Sequence, residues 1–155
     1  KQVPTGEFFP WEVIKTNCDS LPAELQNKYR AYPFLHEEMG AALRVADLVV
    51  SRSGASILGE YPMFELPAIL VPYPHAWQYQ KTNAKYLVDR DAALMIRDED
   101  LQERLLPEVL ALTKDRGRLD SMRSALKKMV KPDAAKVIAK ELINLGGCNE
   151  GGGQK

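Results

Sequence analysis

Small polar residues follow a short apolar run at residues 47–56 of the sequence. Residues 47–51 are typical of a strand buried on both faces, and the Ser- and Gly-containing residues 52–56 lead from them into a helical pattern. Unpaired backbone N–H groups and the positive end of a helix dipole meet at such a helix start, where small residues let a phosphate approach. The loop predicts a diphosphate site, although any α/β protein also needs Gly and Ser at strand-to-helix turns.

A carboxylate lies one helical turn beyond this loop. Glu60 follows Ser56 by four residues, which places the two on the same face of the predicted helix. A carboxylate there can accept two hydrogen bonds from a sugar diol, as in many α/β nucleotide sites. The alternative is an ordinary exposed helical glutamate.

A second loop, residues 72–80, concentrates hydrogen-bonding and aromatic groups after another apolar run. It contains His75 and Gln80 with three aromatic side chains, and no carboxylate or Cys accompanies the histidine. Such a set suits a sugar better than a metal ion. His36 is the other histidine, and the sequence contains no P-loop, no GxGxxG motif, no metal-ligand cluster and no Ser-His-Asp spacing.

The elements that must position these loops alternate along the chain. Apolar, turn-bounded runs at residues 47–51, 67–71 and 92–96 predict strands, and helical patterns at 37–46, from about 55, and at 80–89 separate them. This order predicts an α/β fold with a parallel sheet covered by crossover helices. Pro62 should kink or shorten the helix that carries Glu60.

The flanking regions are expected to be mostly helical. Upstream, residues 21–29 predict a helix and 32–35 a short strand, while residues 10–14 suit a helix or an extended segment equally. Downstream, Asp100 and Glu103 resemble a capping box at the start of the first of three helices. The last helix is predicted after Pro132. Its side chains expected to face inward are Ala135, Ile138, Ala139, Leu142 and Ile143.

Charge and composition exclude several classes of protein. The 155 residues include 21 basic and 21 acidic side chains, so nucleic-acid binding is not expected. Residues 114–140 carry nine basic against three acidic side chains, which indicates either a solvated helical face or attraction to an anionic membrane surface. The longest apolar run, residues 66–71, is too short for a membrane span. Cys18 and Cys148 are expected to be free thiols.

The segments above resemble a known family. Residues 46–56 with Glu60, residues 66–75, and Gln80 with Asn83 and Ala84 closely resemble the C-terminal half of glycosyltransferase family 28, in particular its members that add N-acetylglucosamine to the undecaprenyl-linked muramyl-pentapeptide of peptidoglycan. The similarity runs from about Thr5 to Leu142. It implies the Rossmann-like, donor-binding half of a GT-B enzyme over residues 1–145, without the first strands of that half, and a flexible Gly-rich tail at 146–155.

The resemblance also implies roles for particular residues. Diphosphate and sugar contacts fall on Thr5, Ala55, Ser56 and Ile57, the uracil on His36, the ribose hydroxyls on Glu60, and the N-acetylglucosamine on Gln80 and Asn83. The implied reaction is inverting and needs no metal or other cofactor. The general base and the lipid-linked acceptor site are expected on an N-terminal domain, so no catalytic residue is assigned here and these 155 residues alone should be inactive.

Other interpretations remain open. The chain could belong to a related transferase with another acceptor, or be a donor-binding subunit that requires a membrane partner. Because the sequence starts at Lys1 rather than Met, we interpret it as a piece of a longer chain. The expected location is the cytoplasmic face of the bacterial inner membrane, with peripheral contact to anionic lipid.

Overall fold

The computed structural model describes residues 11–75 and 78–147, and the chain divides into two compact units at residues 41 and 42. The first unit contains helix α1 (Trp11–Asp19), the single turn α2 (Ala23–Gln26) and the start of α3 (Met39–Val45). Residues 10–14, left open between helix and strand, are helical from Trp11. The strand predicted at residues 32–35 is wrong, because that segment is irregular and three of its four side chains are exposed.

Three parallel strands form the sheet of the second unit. They are β1 (Val49–Ser51), β2 (Ala68–Leu70) and β3 (Ala93–Met95), paired in the order β1-β2-β3. The register aligns Val50 with Ile69 and Ile69 with Leu94. All three predicted strands are therefore confirmed in place and direction, each with fewer residues than the apolar run that predicted it.

Helices connect the strands and continue after them. The crossovers are α4 (Ile57–Met63) and α5 (Tyr79–Val88), as parallel neighbours require. After β3 come a 3₁₀ turn (Asp98–Asp100), α6 (Leu101–Lys114), α7 (Arg116–Lys127) and α8 (Ala134–Gly147). Pro62 lies in the last turn of α4, which ends one residue later. This confirms the predicted short helix: Pro62 has no N–H to donate to the carbonyl four residues earlier, which weakens this last turn.

The core lies on both faces of the central strand. Ala68 and Leu70 of β2 pack into one buried cluster with residues of α4, α5 and α7, whereas Ile69 packs into a second cluster with Leu112 of α6 and Met122 of α7. Successive side chains of a strand point to opposite faces, so one three-residue strand serves both clusters. The fold is the expected helix-covered α/β sheet.

Two sequence expectations about the C-terminal helices are wrong. Asp100 begins α6 without a side-chain cap, because its carboxylate accepts hydrogen bonds from Arg97 instead. The apolar side chains of α8 do not face inward: Ile138 and Ile143 are 60% and 73% exposed, and Ala135, Ala139 and Leu142 are exposed as well. The helix also extends through Gly147, into the predicted Gly-rich tail.

Candidate functional site

The loop between β1 and α4 is fixed by a completely buried serine. Ser53 has no exposed surface, and its Oγ donates to the carbonyl oxygen of Gln80 at 2.8 Å. Its N–H donates to Oε1 of Gln80 at 3.3 Å, and its carbonyl accepts from Nδ2 of Asn83 at 3.1 Å. The loop after β1 is thus bonded through Ser53 to α5, the helix after β2.

Gln80 joins this loop to the next one. Its Oε1 also accepts from the N–H of Tyr73, at 2.9 Å, so one amide oxygen holds both strand-end loops. The Nε2 amide group makes no hydrogen bond to residues 11–75 or 78–147. Gln80 therefore has one end engaged in the fold and one donor end available to a ligand.

The residues at the start of α4 leave backbone groups accessible. Ala55 and Ser56 are exposed, and the side chain of Ser56 makes no capping hydrogen bond. The side chain of Ile57 is 3% exposed, so this residue can meet a ligand only through its backbone. A Cβ added at Gly54 would find no atom within 4 Å, which leaves open space above the loop. A diphosphate can approach the N–H groups at this helix start.

Two neighbouring residues of α4 have opposite surroundings. Glu60 is exposed and forms no ion pair with any described residue. Tyr61 is 5% exposed, and its hydroxyl donates to Oγ of Ser51 at 2.7 Å. Burial raises the pKa of Tyr61, although the hydrogen bond to Ser51 opposes the rise. Glu60 is free to accept hydrogen bonds from a ligand, while Tyr61 anchors its helix to the end of β1.

A set of residues that the sequence analysis did not assign surrounds Arg52. The Nη1 of Arg52 donates to the carbonyl of Val71 at 3.3 Å and pairs with Asp98, and its guanidinium carbon lies 5.4 Å from the ring centre of Tyr73. The sequence could have assigned Asp98 to this group of residues. It follows the third predicted strand, and the carboxyl ends of all three parallel strands lie at the same edge of the sheet.

A cavity of about 320 Å³ lies beside these groups, beyond the ends of β2 and β3. It is lined by residues of the loops after β2 and β3, among them Tyr73 and Asp98, and by Lys81 of α5. Arg97, also at its wall, binds Asp100, and this hydrogen bond lowers the pKa of the Asp100 carboxyl. The cavity extends the ligand-accessible edge of the sheet toward β3.

The other predicted ligand contacts lie elsewhere in the chain. Thr5 is outside the described residues. His36 is exposed in the first unit, where its ring stacks on Phe34 with the ring centres 6.1 Å apart. The structure thus brings together Ala55, Ser56, Ile57, Gln80 and Asn83 through the hydrogen bonds of Ser53. Within the described ranges, no cluster of three or more His, Cys, Asp or Glu could hold a metal ion.

Comparison with known proteins identifies the domain type. Residues 11–138 match the model of the glycosyltransferase family 28 C-terminal domain. The solved structure titled "Crystal structure of acinetobacter baumannii MurG" superposes with a TM-score of 0.67 and 27% identity, over 74% of this chain and 33% of that one.

Curated relatives support the same assignment of the domain type. Two are named UDP-N-acetylglucosamine–N-acetylmuramyl-(pentapeptide) pyrophosphoryl-undecaprenol N-acetylglucosamine transferase. The protein from Chlorobium luteolum is 41% identical over 70% of this chain and 30% of its own length. The protein from Bacteroides thetaiotaomicron is 34% identical over 91% of this chain and 37% of its own. The chain therefore spans about a third of the relatives that it matches.

Proposed function

Because this chain belongs to glycosyltransferase family 28, as a C-terminal domain of GT-B type, we propose that it binds the nucleotide-sugar donor UDP-GlcNAc. The proposed whole reaction transfers N-acetylglucosamine to a lipid-linked muramyl-pentapeptide, as the names of the relatives state for those enzymes. The observation that carries the proposal is the Ser53 network, which sets the helix start and Gln80 beside each other in a domain of this family.

The geometry supports separate contacts to the diphosphate, the ribose and the N-acetylglucosamine of the donor. The backbone of Ala55, Ser56 and Ile57 would meet the diphosphate at the start of α4. Glu60, exposed one turn further, would accept hydrogen bonds from the ribose hydroxyls. The Nε2 of Gln80 would donate to the N-acetylglucosamine, with Asn83 beside it. From the family resemblance alone, we propose His36 as the uracil contact and Thr5 as the first phosphate contact.

The proposed chemistry is displacement at the anomeric carbon. As the bond to the diphosphate breaks, negative charge grows on the departing UDP, and helix-terminal N–H groups favour that charge. We propose that this stabilisation replaces a metal ion. The base that activates the acceptor hydroxyl would come from the part of the relatives that this chain does not match, so the 155 residues alone should bind donor without transferring sugar.

A second candidate keeps the donor and changes the acceptor. A transferase with another acceptor, or a donor-binding subunit that works with a separate membrane protein, would use the same strand-end loops. An acceptor screen with the whole protein distinguishes these candidates, because the donor site is common to all of them.

The donor proposal is tested at Glu60. Glu60→Gln removes the charge without disturbing any contact of the described residues, so we expect unchanged stability. The amide keeps one acceptor oxygen and loses the other, so one hydrogen bond from the ribose diol to a charged group is lost, at a cost of roughly 1.5–3 kcal/mol. Calorimetric titration should show UDP and UDP-GlcNAc weakened alike, by about tenfold or more. Glu103→Gln, an exposed glutamate on α6, is the matched control. Equal affinities in the Glu60 and Glu103 variants would contradict the proposal.

We also propose peripheral contact with anionic membrane at the cytoplasmic face of the inner membrane. No helix among the described residues is long and apolar enough to cross a membrane. Support comes from α8, where apolar side chains are exposed beside Lys136 and Lys140. A helix with an apolar face and flanking lysines suits an anionic interface.

A further inference from the structure

One arginine contacts all three strand-end loops. Arg52 directly follows β1, its Nη1 reaches the carbonyl of Val71 just after β2, and its guanidinium lies over the ring of Tyr73 in the same loop. The third contact is the ion pair with Asp98, the first residue of the 3₁₀ turn after β3. The orientation of this guanidinium therefore connects the positions of the three loops.

Asp98 is the carboxylate that fixes this orientation. The two acids that follow it, Glu99 and Asp100, both pair with Arg97, and neither pairs with Arg52. The side chains of Arg52 and Asp98 are 47% and 33% exposed, so water screens the pair only partly. The same Nη1 group donates to Asp98 and to Val71, and a guanidinium is planar with donors in fixed directions, so the carboxylate on one N–H sets where the other N–H points.

The next residue of the chain, Ser53, connects Arg52 to the rest of residues 52–56, the loop proposed to receive the diphosphate. Ser53 adjoins Arg52 and is bonded to Gln80, while Gln80 also accepts from Tyr73, whose ring lies under the guanidinium. Arg52 and Gln80 thus each connect the loop after β1 with the loop after β2. Removing Asp98 would free Arg52 to rotate toward solvent, and its contacts with Val71 and Tyr73 would weaken together.

We propose that Asp98 is a positioning residue for donor binding: through Arg52 it holds residues 52–56 and Tyr73 in the arrangement that receives the diphosphate. The inference rests on the proposed function, since it concerns the same loops. In this proposal Asp98 acts through Arg52 and not by contact with the donor. Its effect should therefore fall on UDP and UDP-GlcNAc equally.

The experiment compares three variants of the 155-residue chain. Asp98→Asn removes the charge of the pair, Asp98→Glu keeps it, and Asp100→Asn removes a paired carboxylate from the same turn without touching Arg52. Affinities for UDP and UDP-GlcNAc are measured by calorimetry, and amide exchange at Ser53 and Tyr73 by NMR without ligand. Thermal unfolding checks that the two Asn variants are equally stable.

We expect Asp98→Asn to weaken both ligands about two- to fivefold, the range for a partly exposed ion pair. The Tyr73 amide should exchange faster in this variant, and Asp98→Glu should recover most of the affinity. Asp100→Asn should resemble the unaltered chain in both measurements.

Two results overturn the inference without affecting the proposed function. Unchanged affinities in Asp98→Asn would show that the pair does not position the loops. Tighter binding would show that Asp98 competes with the diphosphate for Arg52. If the unaltered chain binds neither ligand, the proposed function fails, and this inference fails with it.

Discussion

Tyr61 links the stability of the domain to pH at the level of a single residue. Its phenol is buried and its pKa is raised above the ordinary 10.0, chiefly by burial. A group whose pKa is higher in the folded state stabilises the fold fully below its unfolded pKa, and this contribution is lost as pH rises through the folded value. The loss should therefore begin near pH 10.

Substitution of Tyr61 tests this linkage. Tyr61→Phe removes the hydrogen bond to Ser51 and should lower the free energy of unfolding by about 0.5–1.5 kcal/mol at pH 8. The difference from the unaltered chain should shrink above pH 10, because the phenylalanine cannot ionise. Urea unfolding at pH 8 and pH 10.5 measures both effects. Tyr86→Phe, at an exposed position, is the control, and a difference that is the same at both pH values would refute the argument.

Gln80 and Ser53 show how far residue-level prediction reached. The resemblance to glycosyltransferase family 28 implied that Gln80 contacts the sugar of the donor. Its Oε1 is in fact bonded to two loops, and this could not be predicted, since it depends on Ser53 and Tyr73 being brought together by the parallel pairing of β1 and β2. The sugar contact itself remains a prediction.

At the level of elements, α4 and α5 end in the same way without a glycine. After α4, Glu65 has φ 49°, its N–H donates to the carbonyl of Pro62, and Leu66 donates to Tyr61. After α5, Asp91 has φ 56°, its N–H donates to the carbonyl of Val88, and the N–H of Ala92 donates to the carbonyl of Leu87. This is the Schellman pattern, in which glycine usually occupies the left-handed position. The chain turns directly from each motif into the next strand.

The left-handed position predicts a stabilising substitution. Glu65→Gly should raise the free energy of unfolding by about 1 kcal/mol, because a side chain at positive φ costs roughly 1–2 kcal/mol and glycine does not incur it. Asp91→Gly should gain less, since aspartate tolerates this conformation better. Glu65→Ala separates conformation from charge: it removes the distant contact with Lys127 but keeps the positive φ. A gain in the alanine variant equal to that in the glycine variant would contradict the explanation.

Element prediction succeeded where burial decides structure and failed where it does not. The runs that became β1, β2 and β3 are apolar because the sheet is covered on both faces, so they were visible in the sequence. Residues 32–35 are also largely apolar, yet Phe34 is 72% exposed and the segment is not a strand of the sheet that the described residues form. Apolar periodicity alone likewise placed the side chains of α8 in a core that they do not reach.

At the level of the whole molecule, a neutral chain carries an uneven distribution of charge. The net charge is zero, so the excess of basic side chains at residues 114–140 is balanced by acids elsewhere. Within that segment Arg123, Lys127 and Lys136 form ion pairs with described residues. The other six basic side chains form none with the described part of the chain: Lys114, Arg116, Arg118, Lys128, Lys131 and Lys140. These charges are available to an anionic surface.

Vesicle binding tests whether this distribution acts at a membrane. The chain should co-sediment with phosphatidylglycerol vesicles at low salt and be released as salt rises, because the Debye length falls to about 10 Å at 0.1 M. Replacing Lys128, Lys131 and Lys140 by Gln should weaken binding about 100-fold, since each lysine near an anionic surface contributes about 1 kcal/mol.

A second triple variant separates position from net charge. Replacing Lys15, Lys28 and Lys81 by Gln removes the same charge from outside the segment, and vesicle binding should then change little. If both triple variants lose affinity equally, net charge and not the 114–140 segment governs binding. Equal retention on neutral and anionic vesicles at low salt would reject the electrostatic contribution and leave the exposed apolar face of α8 as the contact, because apolar burial does not depend on the charge of the lipid.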